Sequence, residues 1–243
     1  MMEAAPYLIL SAAAFCGALL SSLAGFAFSA AAGAILLHAL PPIEAVPLMM
    51  ACSIVVQLST LWALRHNMQW KGSLVLILGG IIGIPPAVYL LQNADITIFR
   101  IGFGALVAAY AAYMLLRPAL AYVRQMQGRI RNALVGFGGG LVGGLTAMPG
   151  ALPTIWCDLH GMPKHEQRGL VQPFIAAMQL FALVLMVSRQ SLSSKLLIDL
   201  TVSLPALAAG TVVGLVMFHR VNDALFRRII LTVLLFSGLS LVV

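Results

Sequence analysis

The sequence predicts an all-α polytopic membrane protein made of two inverted repeats, each a broken, re-entrant helical hairpin followed by three transmembrane helices. Three observations lead there. Of the 243 residues, 61% are hydrophobic and only 9% charged, whereas soluble domains average about 45–50% and about 25%. A globular core of this length cannot hide so much apolar surface, but lipid can. Apolar runs of about one membrane helix (~20 residues) recur along the chain. Finally, the two halves match each other when the chain is slid along itself by 122 residues, as in Phe15 with Phe137.

The runs fall at about 6–40, 43–64, 72–91, 97–116, 132–159, 165–188, 195–218 and 224–243. No Asp, Glu, Lys or Arg stands between Glu3 and Glu44. Six runs have the length of a single span. The other two, 6–40 and 132–159, each contain a soft point: Gly25-Phe26-Ala27-Phe28-Ser29 in the first and Met148-Pro149-Gly150-Ala151-Leu152-Pro153 in the second. Proline removes a helix donor and clashes one turn back, and glycine frees the backbone. Both runs therefore read as pairs of helical pieces. The pieces 28–40 and 151–159 would be ~18 and ~14 Å long as helix, too short for a ~30 Å hydrocarbon core, so a re-entrant path is expected. The polar stretch around Arg117, Arg124, Arg129 and Arg131 divides the chain. This predicts a first membrane repeat over 1–117, a basic cytoplasmic linker over 118–131 and a second membrane repeat over 132–243.

Leucine matches between the halves carry little weight, but His38 with His160, Pro41 with Pro163, Glu44 with Glu166 and Gln57 with Gln179 are far less expected by chance. After a further shift of about six residues, Asp95 and Arg100 align with Asp223 and Arg228. Repeated halves are a common build of secondary transporters. If each broken run enters and leaves on one side, the loops 65–71, 117–131, 160–168 and 219–228 share a face. They then hold eleven Lys/Arg against three elsewhere, namely Arg100, Arg189 and Lys195. If each broken run crosses once, the split is eight to six. The positive-inside bias favours the first arrangement, with those four loops cytoplasmic in a cell (inner) membrane. An odd number of crossings per half then turns the second half upside down.

The net charge of +7 belongs to these short loops. No basic stripe interleaved with aromatics supports nucleic-acid binding. Cys16, Cys52 and Cys157 lie in or beside apolar runs without CxxC spacing and read as small apolar residues. The first run lacks a basic n-region and a cleavage site, and is expected to be retained. No pattern calls for a cofactor or metal. The expected partners are the lipid bilayer and a small anionic substrate, with the coupling ion unassigned and a homo-oligomer left open.

Irregular backbone at membrane depth survives only where protein covers it or where it lines a watery cavity. Two breaks at equivalent places point to a central substrate site, and the helix that follows each break offers free N–H groups and a positive dipole end suited to an anion. Gly25, Phe26 and Ser29 in one half, with Pro149, Gly150 and Thr154 in the other, are the candidate contacts. Gln57 and Gln179 sit mid-span, where a glutamine either bridges helices or faces a cavity. Gln172, beside the kinking Pro173, is expected at the same cavity. Trp156 is expected at an interface.

Gly136, Gly140 and Gly144, Gly79 with Gly83, and Gly210 with Gly214 form small-residue faces read as close helix packing. Pro85-Pro86 and Pro205 read as kinks. His38, Glu44, Asp158, His160, His165 and Glu166 lie at the ends of the broken runs and suit capping or interfacial ion pairs, while Asp199 is read as pairing with Lys195. Two rival readings accompany the transporter: an intramembrane enzyme using Cys157 and His160, with no convincing third group, and a non-transporting membrane scaffold.

At the breaks the sequence resembles the TauE/SafE sulfite exporter family. The carriers of the resemblance are Gly25-Phe26-Ala27-Phe28 followed by Pro41-Pro42-Ile43-Glu44-Ala45-Val46-Pro47, and Gly143-Gly144-Leu145-Thr146-Ala147-Met148-Pro149-Gly150. Many members carry a Gly-Gly-Gly turn and a nearby proline in the first half, where this chain has Ala27 to Ala32 and Gly33-Ala34. The resemblance implies a permease that is not an enzyme, moving sulfite or an organosulfonate or related organosulfur anion. Alternating access around a midplane site between the repeats is the expected mechanism.

Overall fold

A computed structural model describes residues 4–24, 27–65, 68–116, 128–189, 194–220, 231–232, 234–236 and 238–241. Nine helices are delimited among them: α1 (Ala4–Ala24), α2 (Phe28–Ala39), α3 (Pro42–Leu64), α4 (Trp70–Asn93), α5 (Ile96–Leu116), α6 (Arg129–Thr146), α7 (Ala151–Leu159), α8 (Lys164–Arg189) and α9 (Ser194–Arg220). Residues 231–232, 234–236 and 238–240 are helical as well. No strand occurs among the described residues. Four helical stretches are long and apolar enough to cross a membrane: Trp70–Asn93, Ile96–Leu116, Glu166–Ser188 and Lys195–Gly214. Leu78, Ile82, Tyr89 and Leu90 on α4, and Val212 and Val216 on α9, face outward, as lipid-facing side chains do.

Both expected breaks occur. The first long run divides between α1 and α2, the second between α6 and α7. Gly17 lies against the ring of Phe28, yet a straight helix would separate these residues by about 16 Å. The chain therefore folds back at the first break. At the second, Pro149 packs on Gly139 and Gly143, Leu152 on Gly138, and Trp156 Nε1 donates to Asn132 Oδ1 at 3.1 Å. As the number rises on α7 it falls on α6, so this pair is an antiparallel hairpin.

The helices between the hairpins cross over. α4 lies along α6 and α1 along α9, the two most extensive helix contacts. Leu76 meets Gly136, Gly80 meets Gly140, and Ile84 with Ala87 meets Gly144. Gly210 meets Phe15 and Ala18, while Gly214 meets Leu19 and Ser22. Numbers rise together in each seam, so each pair runs parallel. Main chain meets main chain: a Cβ at Gly79, Gly136, Gly140 or Gly210 would strike a carbonyl of the opposite helix. The small-residue faces are thus packing seams, as their spacing suggested.

Helix α8 runs parallel to α4. Gln69 N–H donates to Gly169 O at 3.0 Å, Ser73 Oγ donates to Leu170 O at 2.7 Å, and Gly80 lies against Phe174 and Met178. Pro173 explains the first bond, because it has no N–H to offer the carbonyl four residues earlier. The carbonyl it releases is that of Gly169, taken up by Gln69. On the other side, α3 runs parallel to α9, with Glu44 beside Lys195 and Cys52 beside Ser203. Ser53 of α3 and Gly80 of α4 reach the same turn of α8, at Gln179 and Met178. A straight run from 53 to 80 would cover about 40 Å, so the chain reverses between α3 and α4.

One ion-pair expectation is corrected. Lys195 Nζ makes its direct ion pair with Glu44 Oε2 at 2.5 Å, and Asp199 acts on the same ammonium only at longer electrostatic range. The parallel register of α3 and α9 brings the two helix starts side by side, and the carboxylate from the other helix reaches the ammonium first.

Candidate functional site

The site forms where the two breaks meet. Helix α6 cannot continue past residue 147 because the residue before a proline is driven out of helical geometry, and Met148 precedes Pro149. Ala147 ends the helix in the left-handed conformation (φ 58°, ψ 23°), its N–H donating to Gly143 O at 2.8 Å. This conformation costs an L-residue roughly 1–2 kcal/mol, and it turns the Ala147 carbonyl out of the helix ladder. Two side chains from distant parts of the chain claim that carbonyl. Ser29 Oγ, on the first turn of α2, donates to it at 2.8 Å. Gln179 Nε2, mid-way along α8, donates to it at 3.2 Å and to Ser53 Oγ of α3 at 2.9 Å. Ser29 and Gln179, from the two halves, thus converge on one released peptide oxygen, and Ser53 joins them through Gln179.

Ser29, Ser53 and Gln179 are all buried, and so is Gln57, 1% exposed. Gln57 lies one turn beyond Ser53 and shares its face of α3. Neither atom of the Gln57 amide meets a protein partner, and Gln179 Oε1 meets none either. An unmet buried amide group costs about 1–3 kcal/mol, a cost that a polar partner placed here would relieve. Every fully buried polar side chain among the described residues is uncharged. The cluster offers amide, hydroxyl and peptide dipoles.

The predicted contacts are distributed as follows. Ser29 and Gln179 are brought together on Ala147, and Gln57 sits a turn away. Pro149 and Gly150 form the turn that opens α7, with Pro149 wedged against Gly139 and Gly143 and Gly150 O accepting Thr154 N–H at 3.0 Å. Thr154 is buried on α7, and its carbonyl accepts Gln167 Nε2 at 3.0 Å, tying α7 to α8. Gln172 is buried on α8, two turns before Gln179 on the same face. Gly25 and Phe26 lie outside the described residues. Ser53 and the Ala147 carbonyl were not anticipated. A hydroxyl one turn from a mid-span glutamine was the available signal for Ser53, and Met148-Pro149 for Ala147.

The enzyme reading finds no dyad. Cys157 is buried, the His160 Nδ1 bonds the carbonyl of Trp156 at 2.8 Å, and the imidazole lies tilted against the Trp156 ring with centroids 4.2 Å apart. His160 Nε2 meets no protein group, so thiol and imidazole are not paired. His38, the repeat mate, makes the same bond, Nδ1 to Ala34 O at 2.8 Å. Both histidines secure the last turn of a short hairpin arm. Among the described residues no group of His, Cys, Asp and Glu could hold a metal.

Two hairpins folded back inside a bundle of long apolar helices, with a neutral polar cluster where they meet, define a polytopic membrane protein with the architecture of a transporter. Comparison with protein families gives the same class. The model for the sulfite exporter TauE/SafE matches residues 10–241, and this chain belongs to that family. Comparison with curated proteins and with solved structures gave no match.

Proposed function

We propose that the protein is an inner-membrane permease for a small anion, sulfite or an organosulfonate, working by alternating access around the site at Ala147. The observation that carries this reading is the convergence of Ser29 and Gln179, one from each half, on the peptide oxygen released by the second break. A substrate held there touches both halves, so a relative movement of the halves changes which side it can leave by.

Inversion of the halves is supported by the helix directions. α1 runs with α9 and α3 with α9, while α4 runs with α6 and with α8; α3 and α4 are opposed. It follows that α6 runs against its counterpart α1. Sidedness draws support from two contacts. Glu44 pairs with Lys195, and Gln69 pairs with Gly169. Each pair shares a membrane face only if the second broken run re-enters, and re-entry of both runs is the arrangement that gathers eleven basic residues in the cytoplasm.

The experiment is anion flux in proteoliposomes, with sulfite and sulfonates as substrates, comparing wild type with Gln179→Ala and Pro149→Ala. Flux in the wild type that falls in both variants is the expected result. Flux that is present and unchanged in both would refute the site, and none with any anion would refute the permease.

A further inference from the structure

The Gln179 amide has a fixed orientation. A peptide carbonyl accepts hydrogen bonds and cannot donate, so the nitrogen of Gln179 must be the atom facing Ala147 O, at 3.2 Å, and Ser53 Oγ at 2.9 Å accepts from the same nitrogen. Oε1 therefore points away from both, buried and without a protein donor. Its repeat mate Gln57 is 1% exposed and leaves both Nε2 and Oε1 unmet by protein. Gln57, one turn from Ser53 on the same face of α3, offers an N–H and an oxygen, and Gln179 adds a second oxygen, all three unmet by protein. Among the described residues no cationic side chain is fully buried, and neither Gln57 nor Gln179 bonds to one.

An anion whose oxygens only accept can use the Gln57 N–H. It would also set its lone pairs against those of Gln57 Oε1 and Gln179 Oε1, leaving two buried acceptors unmet. An anion carrying its own O–H or N–H satisfies donor and acceptor groups together. Resting on the transport reading above, we propose that the site selects an oxyanion that retains a hydrogen-bond donor. It takes hydrogen sulfite over the sulfite dianion, and a hydroxyl- or ammonium-bearing sulfonate over a plain alkanesulfonate. The acidic proton stays on its oxygen throughout, so no bond is made or broken, and each hydrogen sulfite carries one proton across with it.

The test uses the full-length protein in proteoliposomes with equal pH on both sides and radiolabelled sulfite as probe. From mildly acidic to mildly alkaline pH, the half-saturating total sulfite should rise in proportion as the hydrogen sulfite fraction falls, with the maximal rate unchanged. At one pH, hydroxyethanesulfonate should compete at a concentration roughly tenfold or more below that needed for ethanesulfonate, which has the same charge and lacks only the hydroxyl. Gln57→Met should narrow that difference, and the wild-type comparisons stand if the variant fails to fold. Equal competition by the two sulfonates, with half-saturation following total sulfite, would overturn the proposal while leaving transport intact. Flux with no anion at all would remove the transport reading and this one together.

Discussion

A single methyl group added at Gly140 probes the seam between α4 and α6. The three atoms nearest such a Cβ are the O, Cα and C of Gly80, all main chain, so no side chain can rotate aside and the helices must separate. Forced overpacking of this kind costs typically about 1–3 kcal/mol, and a backbone obstacle puts the cost near the upper end. Alanine regains about 1 kcal/mol of helix propensity over glycine. The net expectation for Gly140→Ala is a loss of roughly 2 kcal/mol. Gly102 on α5 is the control, since a Cβ there meets nothing within 4 Å, and only the favourable propensity term of about 1 kcal/mol remains. The two substitutions are chemically identical and should differ by roughly 3 kcal/mol. Thermal unfolding in mild detergent with a thiol-reactive dye reads the difference, because Cys52 and Cys157 are both buried until the bundle opens. A Gly140→Ala protein melting at or above Gly102→Ala would show that the seam is looser than described, and the argument from backbone contact would fail.

Ala147→Val should lower both thermal stability and flux, because a β-branched residue at φ 58° is a severe outlier, while Ala147→Gly should match or exceed wild-type stability in the same melt. Charge reversal at Lys195 (Lys195→Glu) should shift stability by less than about 1 kcal/mol, since the partners are 54% and 42% exposed. The double exchange Glu44→Lys with Lys195→Glu should recover the shift in a double-mutant cycle. In a cysteine-free background, Glu44→Cys should react with an impermeant thiol reagent from outside the cell only, and Pro163→Cys from inside only. Labelling of both from one side would refute the re-entrant arrangement.

Element existence was legible because membrane segments announce themselves through continuous apolar runs, and the breaks because glycine and proline act on the chain locally. Where each broken run turned back was legible only indirectly, through loop charge, since composition is silent on direction. The site was half legible. Ser29, Gln179 and Gln57 stand out as polar groups where polarity is costly. Ser53 did not, because serine is cheap enough in a helix to pass unremarked. Ala147 did not either, because the left-handed end of α6 is a place where glycine is the usual occupant. Local reasoning gave only part of the Lys195 pairing: i,i+4 spacing supplied Asp199 as a charged neighbour, whereas the register of two helices distant in the chain supplied the contacting carboxylate, Glu44.

The exchange of helices across the middle of the chain has a consequence for how the molecule can be assembled. The first helix on either side of the linker finds its main contact only on the far side of it, α1 on α9 and α6 on α4. A chain ending near residue 117 would leave the glycine flank of α4 uncovered, and one starting near 132 would strand that of α9. Severed at the linker, the fragments should therefore reconstitute one particle when made together, and neither should persist when made alone.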